Sequence, residues 1–256
     1  MNRKVQAMNA VNCQACLPFT MPLRSVRSWN PWSILAPLVV VALAGVAMAS
    51  PELTASWELN RTAVADGQWW RLITGHLTHW NLDHLFWDAA TFLALGFVCM
   101  RRNSMRTIAC LTANSLAISV AVLTLHGDLS TYRGLSGLDT ALFTLAAVMM
   151  WRDARQDSDR ALAAVAKWAL GGLLAKTAYE LATGATLFVD SQTAGFVPLA
   201  SAHAVGAVVG FFAAVPPWPI FARVPPQTAA GHADVLAFSS ARAILRRRRL
   251  ARAAGD

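Results

Sequence analysis

The sequence predicts an all-α fold, a polytopic membrane helical bundle with six transmembrane helices, and three observations predict it. Apolar residues make up 55% of the chain and charged residues only 14%, against the usual quarter for a globular domain. The charges gather between apolar blocks instead of being spread through them. Six of those blocks approach the roughly 20 residues that a helix needs to cross the hydrocarbon core of a bilayer. A net charge of +8 over 256 residues would suit nucleic acid, but the basic residues flank the apolar blocks, which is the pattern of cytoplasmic membrane flanks. The expected partner is the lipid bilayer, with no nucleic acid.

The first block, residues 32–49, follows Arg24 and Arg27 and ends on Ala47-Met48-Ala49. A signal peptide has the same pattern. Because residues 50–83 read as a membrane-surface loop and not as a secreted domain, an uncleaved anchor is expected. The second and third blocks, 84–100 and 107–125, are separated by a basic link. The fourth, 136–151, is short for a full crossing at about 16 residues. It starts from Gly134-Leu135-Ser136-Gly137, which reads as a turn feeding a helix. A helix beginning below the surface leaves a polar hollow above it, and non-helical backbone at that depth is tolerated only where it lines such a cavity. The fifth block, 161–181, carries Lys176 and Glu180 at i, i+4 near its outer end, read as a local ion pair or as snorkelling residues. The sixth is 197–216. Together they give one membrane domain, 31–216, between a cytoplasmic N-terminal tail, 1–30, and a basic cytoplasmic C-terminal tail, 217–256. In that tail Arg246 to Arg249 are expected to clamp the membrane surface.

Orientation follows from Lys and Arg. With the N-terminus inside, the inner segments hold Arg3, Lys4, Arg24, Arg27, Arg101, Arg102, Arg106, Arg152, Arg155, Arg160 and the seven arginines of the C-terminal tail. The outer segments hold Arg61, Arg71 and Arg133. Seventeen against three places both termini in the cytoplasm under the positive-inside rule. The four cysteines, Cys13, Cys16, Cys99 and Cys110, lack the second pair or folded module that a redox or zinc role would need.

Polar groups inside spans are costly and usually functional, so their depth matters. Ser136 lies 16 residues above Arg152, or roughly 24 Å. His203 lies 13 residues above Pro216, or roughly 20 Å. Asp88 and His84 lie 13 and 17 residues above Arg101, or roughly 20 and 26 Å. Four polar side chains on three spans thus share one layer. A serine becomes a useful nucleophile when a histidine within reach takes its proton, and donors nearby would stabilise the oxyanion of a tetrahedral intermediate.

At these residues the sequence resembles the rhomboid family of intramembrane serine proteases. Gly134-Leu135-Ser136-Gly137 is similar to the family's G-x-S-G nucleophile motif. Ala202-His203-Ala204-Val205-Gly206-Ala207-Val208-Val209-Gly210 is similar to its A-H-x-x-G-x-x-x-G run. His79, His84 and Asp88 match the family's H-x4-H-x3-N pattern except at the last residue, and Trp70-Arg71 resembles the Trp-Arg pair of its first loop. The resemblance implies a bacterial inner-membrane peptide hydrolase of single-span membrane proteins. In it Ser136 is the nucleophile, His203 the general base of a dyad without aspartate, and His84 an oxyanion donor supported by His79, Asp88 and Gly134. No cofactor or metal is implied. Gly206 and Gly210 would let the sixth span pack closely on the fourth. A substrate helix would enter near the second and fifth spans.

Asp88 stands where the family usually has Asn. Either burial keeps it protonated and a donor, or it orients His84 and leaves the oxyanion to backbone and histidine donors. Thr140 stands where the family often has a tyrosine packing on the histidine, and Asp139 is a polar neighbour available to help. The stretch His84-Leu85-Phe86-Trp87-Asp88 also resembles rhombosortases, relatives associated with proteins that carry a C-terminal Gly-Gly, hydrophobic-helix and basic-tail sorting signal. Blander readings exist for each residue. Ser136 could serve only as an N-cap with Asp139 completing a capping box, and His203 as a packing histidine. His76, His79 and His84 with Asp83 or Asp88 could ligate zinc, although H-E-x-x-H is absent. A catalytically inactive rhomboid-like protein that binds membrane helices is the functional alternative.

Overall fold

The computed structural model describes residues 30–185 and 199–215; the two tails, Cys13, Cys16, Arg246 to Arg249 and the first residues of the sixth block lie outside the described residues. Helix α1 is Trp32–Ala49, and the segment after it holds three short helices, α2 (Pro51–Trp57), α3 (Arg61–Ala65) and α4 (Arg71–Thr74), and a 3-10 turn over Gly75–Leu77. Then come α5 (Leu82–Leu125), α6 (Ser136–Gln156), α7 (Arg160–Thr183) and α8 (Ala200–Ala214).

The second and third blocks run on from one another over the 44 residues of α5, and Asn103 breaks the helix between them with φ −162° and ψ 95°. Its side-chain oxygen accepts from the Arg106 N–H at 3.0 Å, so Asn103 is the N-cap of a second helix. The two halves fold back on each other. Asp88, before the break, accepts from the Leu135 N–H at 2.9 Å, and Asn114, after it, donates to the Gly137 carbonyl at 2.9 Å. Both halves therefore meet the same turn of α6.

Apolar surface points outward as well as inward. On α1, Trp32, Val39 and Val46 are more than half exposed, and on α7 Val165, Trp168 and Leu174 are exposed to a similar or greater degree. A soluble monomer does not leave stripes of that size in water, whereas lipid accommodates them. α1, α5 and α7 are long and apolar enough to cross a membrane. The interior, with Phe92, Ile118, Leu142 and Leu145 at its centre, sits where α5, α6 and α8 meet. Small residues set the closest approach. A Cβ on Gly206 would collide with the Gly137 carbonyl, and one on Gly210 with the Ala141 carbonyl.

Two features differ from the expectation. Helix α6 continues to Gln156 and has 21 residues, because the charged stretch after Met150 stays helical: Arg152 donates to the Ala214 carbonyl at 2.6 Å, and Asp153 pairs with Arg102 at 3.3 Å. The fold is also not wholly helical. Leu59–Asn60 (β1) pairs antiparallel with Thr131–Tyr132 (β2), which satisfies backbone groups where the loops before α3 and before α6 run side by side. Arg61, Arg71 and Arg133 knit the same region. Arg61 takes the last carbonyls of α5, with Leu123 at 2.6 Å and His126 at 2.8 Å, groups that have no intrahelical partner. Arg71, buried, donates to the Ala55 and Glu58 carbonyls at 2.8 Å each. Arg133 pairs with Glu58 at 2.7 Å and lies over the Trp80 ring at 4.4 Å.

Candidate active site

The turn before α6 is shaped by Gly134, whose φ of +127° lies in a region that only glycine enters easily. The backbone there passes directly over the second-span groups, since a Cβ on Gly134 would sit 3.0 Å from His84 Cε1 and 3.5 Å from Asp88 Oδ2. The next residue, Leu135, gives its N–H to Asp88 Oδ2. Helix α6 then begins at Ser136. No side chain caps it, and the Asp139 N–H goes to the Leu135 carbonyl, so Ser136 is the first helical residue and not a capping one. Among the described residues the Ser136 hydroxyl makes no hydrogen bond.

Asp88 is the hub on α5. Besides the Leu135 N–H, its Oδ2 lies 3.2 Å from both His79 Nε2 and His84 Nε2. The His79 and His84 rings meet edge to face, with centroids 5.0 Å apart. Three donors on one carboxylate oxygen is an acceptor's environment. With the Leu135 N–H fixed as a donor, it fits the reading in which Asp88 orients His84 and the nucleophile turn. His76 is elsewhere, with Nε2 3.0 Å from the Ser115 carbonyl. Burial pushes its pKa down to about 4, so it is neutral near pH 7.

His203 is buried in the first turn of α8. Its Nδ1 lies 2.7 Å from Glu180 Oε2 on α7, while Glu180 Oε1 takes Lys176 Nζ at 2.6 Å. The pairing of Lys176 with Glu180 read from the sequence is present, but Glu180 also reaches across to another helix, and that contact escaped the sequence reading. The signal was available. Counting depth on the fifth span, as on the other three, puts Glu180 in the same outer layer, where an ionisable residue invites a functional reading. Thr140 turns its hydroxyl to the Ser136 carbonyl at 2.9 Å, and among the described residues no aromatic ring packs on His203.

Ser136, His203, His84, Asp88 and Glu180 all line one cavity of about 1100 Å³. Its polar rim includes Asp128, Ser130 and Arg133, and its apolar lining includes Trp87 and Leu95 of α5 and Trp168 and Leu173 of α7. No hydrogen bond joins the Ser136 hydroxyl to His203 in this arrangement; without substrate such contacts are often long. Gly206 and Gly210 lie on the α8 face that meets α6, away from the cavity wall. The chemistry available is a hydroxyl, an imidazole whose Nδ1 is held by a carboxylate, and the free N–H groups that open a helix.

The Rhomboid domain family matches residues 66–219, a stretch that contains every residue of the cavity just described. No curated protein matches the chain.

Proposed function

The chain belongs to the rhomboid family, and from that premise we propose that it is an active intramembrane serine endopeptidase cutting single-span membrane proteins. Rhomboids are in general intramembrane serine proteases, and the apolar helices make this chain a membrane protein. The observation that carries the reading is that Ser136 and His203, from separate helices, line one cavity while a carboxylate engages the histidine's far nitrogen.

In the proposed mechanism Ser136 Oγ attacks the scissile carbonyl as His203 Nε2 takes its proton. The oxyanion forms beside the Ser136 N–H at the start of α6, with the His84 Nε2 hydrogen shared between it and Asp88. Asp88, by accepting from Leu135 and both histidines, fixes the turn and the His84 ring. The imidazolium then gives its proton to the leaving amine, and water from the polar rim resolves the acyl-enzyme. A substrate helix reaches the cavity between α5 and α7, where Trp87, Leu95, Trp168 and Leu173 give the lining an apolar part. Six spans in the bacterial inner membrane with both termini in the cytoplasm are part of the same proposal, resting on the charge bias and the six apolar blocks of the sequence. Processing of proteins with a Gly-Gly sorting signal is the narrower, rhombosortase-like form of it.

Co-expression with tagged single-span reporters, one of them ending in a Gly-Gly signal, tests this. Cleavage is expected for the wild type and is expected to vanish in Ser136→Ala and in His203→Ala. Cleavage persisting in Ser136→Ala overturns the mechanism. Reporters that co-purify uncut with the wild type favour the inactive helix-binding reading instead.

A further inference from the structure

We propose that Glu180 is a positioning residue that fixes the tautomer of His203, so that the site works as a Ser136–His203–Glu180 relay and not as a dyad; this rests on the reading of Ser136 and His203 as nucleophile and base. Glu180 is only 3% exposed, in the last turn of α7 at the cavity wall, where an unpaired buried carboxylate is costly. It has two partners. Oε1 takes Lys176 Nζ one turn earlier at 2.6 Å, and Oε2 lies 2.7 Å from His203 Nδ1 across the gap from α7 to α8.

The tautomer follows from the donor and acceptor inventory. An ionised carboxylate only accepts, so at 2.7 Å the ring nitrogen facing it must carry the hydrogen. Lys176 Nζ is also near Nδ1, at 3.5 Å, but an ammonium only donates and is the more distant of the two. The Glu180 contact therefore decides: Nδ1 is protonated and Nε2 keeps its lone pair. That is the form a general base needs, and the hydrogen bond on one nitrogen is what selects the other. Lys176 in turn holds the second carboxylate oxygen, so the carboxylate cannot swing away.

The proton balance is complete without further reagents. As the Oγ–C bond forms, the Ser136 proton passes to Nε2. The resulting imidazolium sits against Glu180, which stays ionised throughout. As the C–N bond breaks, the Nε2 proton goes to the leaving amine. Water then gives a proton to Nε2 and its oxygen to the acyl carbon, and Oγ takes the proton back on release. On α6, Thr140 is engaged with its own helix, so the ring orientation falls to Glu180.

The test uses the full-length protein in detergent with a single-span reporter. Glu180→Gln is nearly isosteric and removes the charge. It is expected to lower kcat by roughly a hundredfold or more while KM changes by less than about threefold, and Glu180→Asp is expected to recover part of the loss. Independently, nitrogen-15 histidine spectra of the wild type, assigned with His203→Asn, are expected to show Nδ1 protonated and Nε2 not. This second readout stands even if the Gln variant fails to fold. A wild-type kcat in Glu180→Gln, or an Nε2-protonated His203 in the spectrum, overturns the proposal. If Ser136→Ala and His203→Ala are still inactive in that case, the protease reading survives and only the relay falls. Cleavage by Ser136→Ala would instead bring down both.

Discussion

At the scale of single residues, the site is organised by two carboxylates that hold other groups in place. Asp88 accepts from Leu135, His79 and His84, and Glu180 accepts from Lys176 and His203. The first of these gives a prediction that separates its two possible roles. If Asp88 were a protonated donor to the oxyanion, Asn would replace it with little loss. As an acceptor for three groups on one oxygen it is matched only in part by Asn, whose amide oxygen accepts but is neutral and whose amide nitrogen only donates. Asp88→Asn is expected to lower the cleavage rate about 10- to 100-fold, the usual cost of losing an orienting partner. Unchanged or faster cleavage in purified enzyme would return Asp88 to the donor role. That Ser136, His203, His84 and Asp88 share one cavity was legible in the sequence because depth along a span is nearly a matter of counting residues. The Glu180–His203 contact was not, since spacing along one helix says nothing about which neighbouring helix a side chain faces.

At the scale of elements, the spacing of apolar blocks and arginines located the helices to within a few residues, and the glycines set how closely they meet. Helix α8 can present His203 to the cavity only while its Gly206 and Gly210 rest on the carbonyls of Gly137 and Ala141. Gly206→Val or Gly210→Val must push α8 away from α6, at a cost of about 1–3 kcal/mol for overpacking. Cleavage should fall together with the unfolding midpoint in detergent. Gly171, on α7, meets nothing within 4 Å, and Gly171→Ala is expected to leave both unchanged. Equal tolerance at Gly171, Gly206 and Gly210 would show that the α6–α8 contact does not hold the site. The β1–β2 ladder had no sequence signature at all. Two residues per strand are too few for an alternating pattern, and the pairing is a consequence of two loops meeting, not of strand-forming sequence.

At the scale of the whole molecule, the arginines that orient the chain also tie it together. Those on the proposed outer side, Arg61, Arg71 and Arg133, bind backbone carbonyls, a glutamate and a tryptophan face. They therefore act as structural ties, as Arg152 on the Ala214 carbonyl and Arg102 on Asp153 also do, and the charge bias rests on the larger number of arginines on the inner side. The arrangement predicts opposite accessibility for two exposed positions. Asp128, on the polar rim of the cavity, should face the outside, and Gln156, at the end of α6, the cytoplasm. The native Cys99 and Cys110 are buried and should stay silent, and Cys13 and Cys16 can be replaced by serine. In that background Asp128→Cys is expected to react with a membrane-impermeant maleimide on intact spheroplasts. Gln156→Cys should react only after the membrane is opened. Labelling of Gln156→Cys on intact spheroplasts would invert the orientation. Ser136 would then lie near the cytoplasmic face, and water for hydrolysis would have to come from that side.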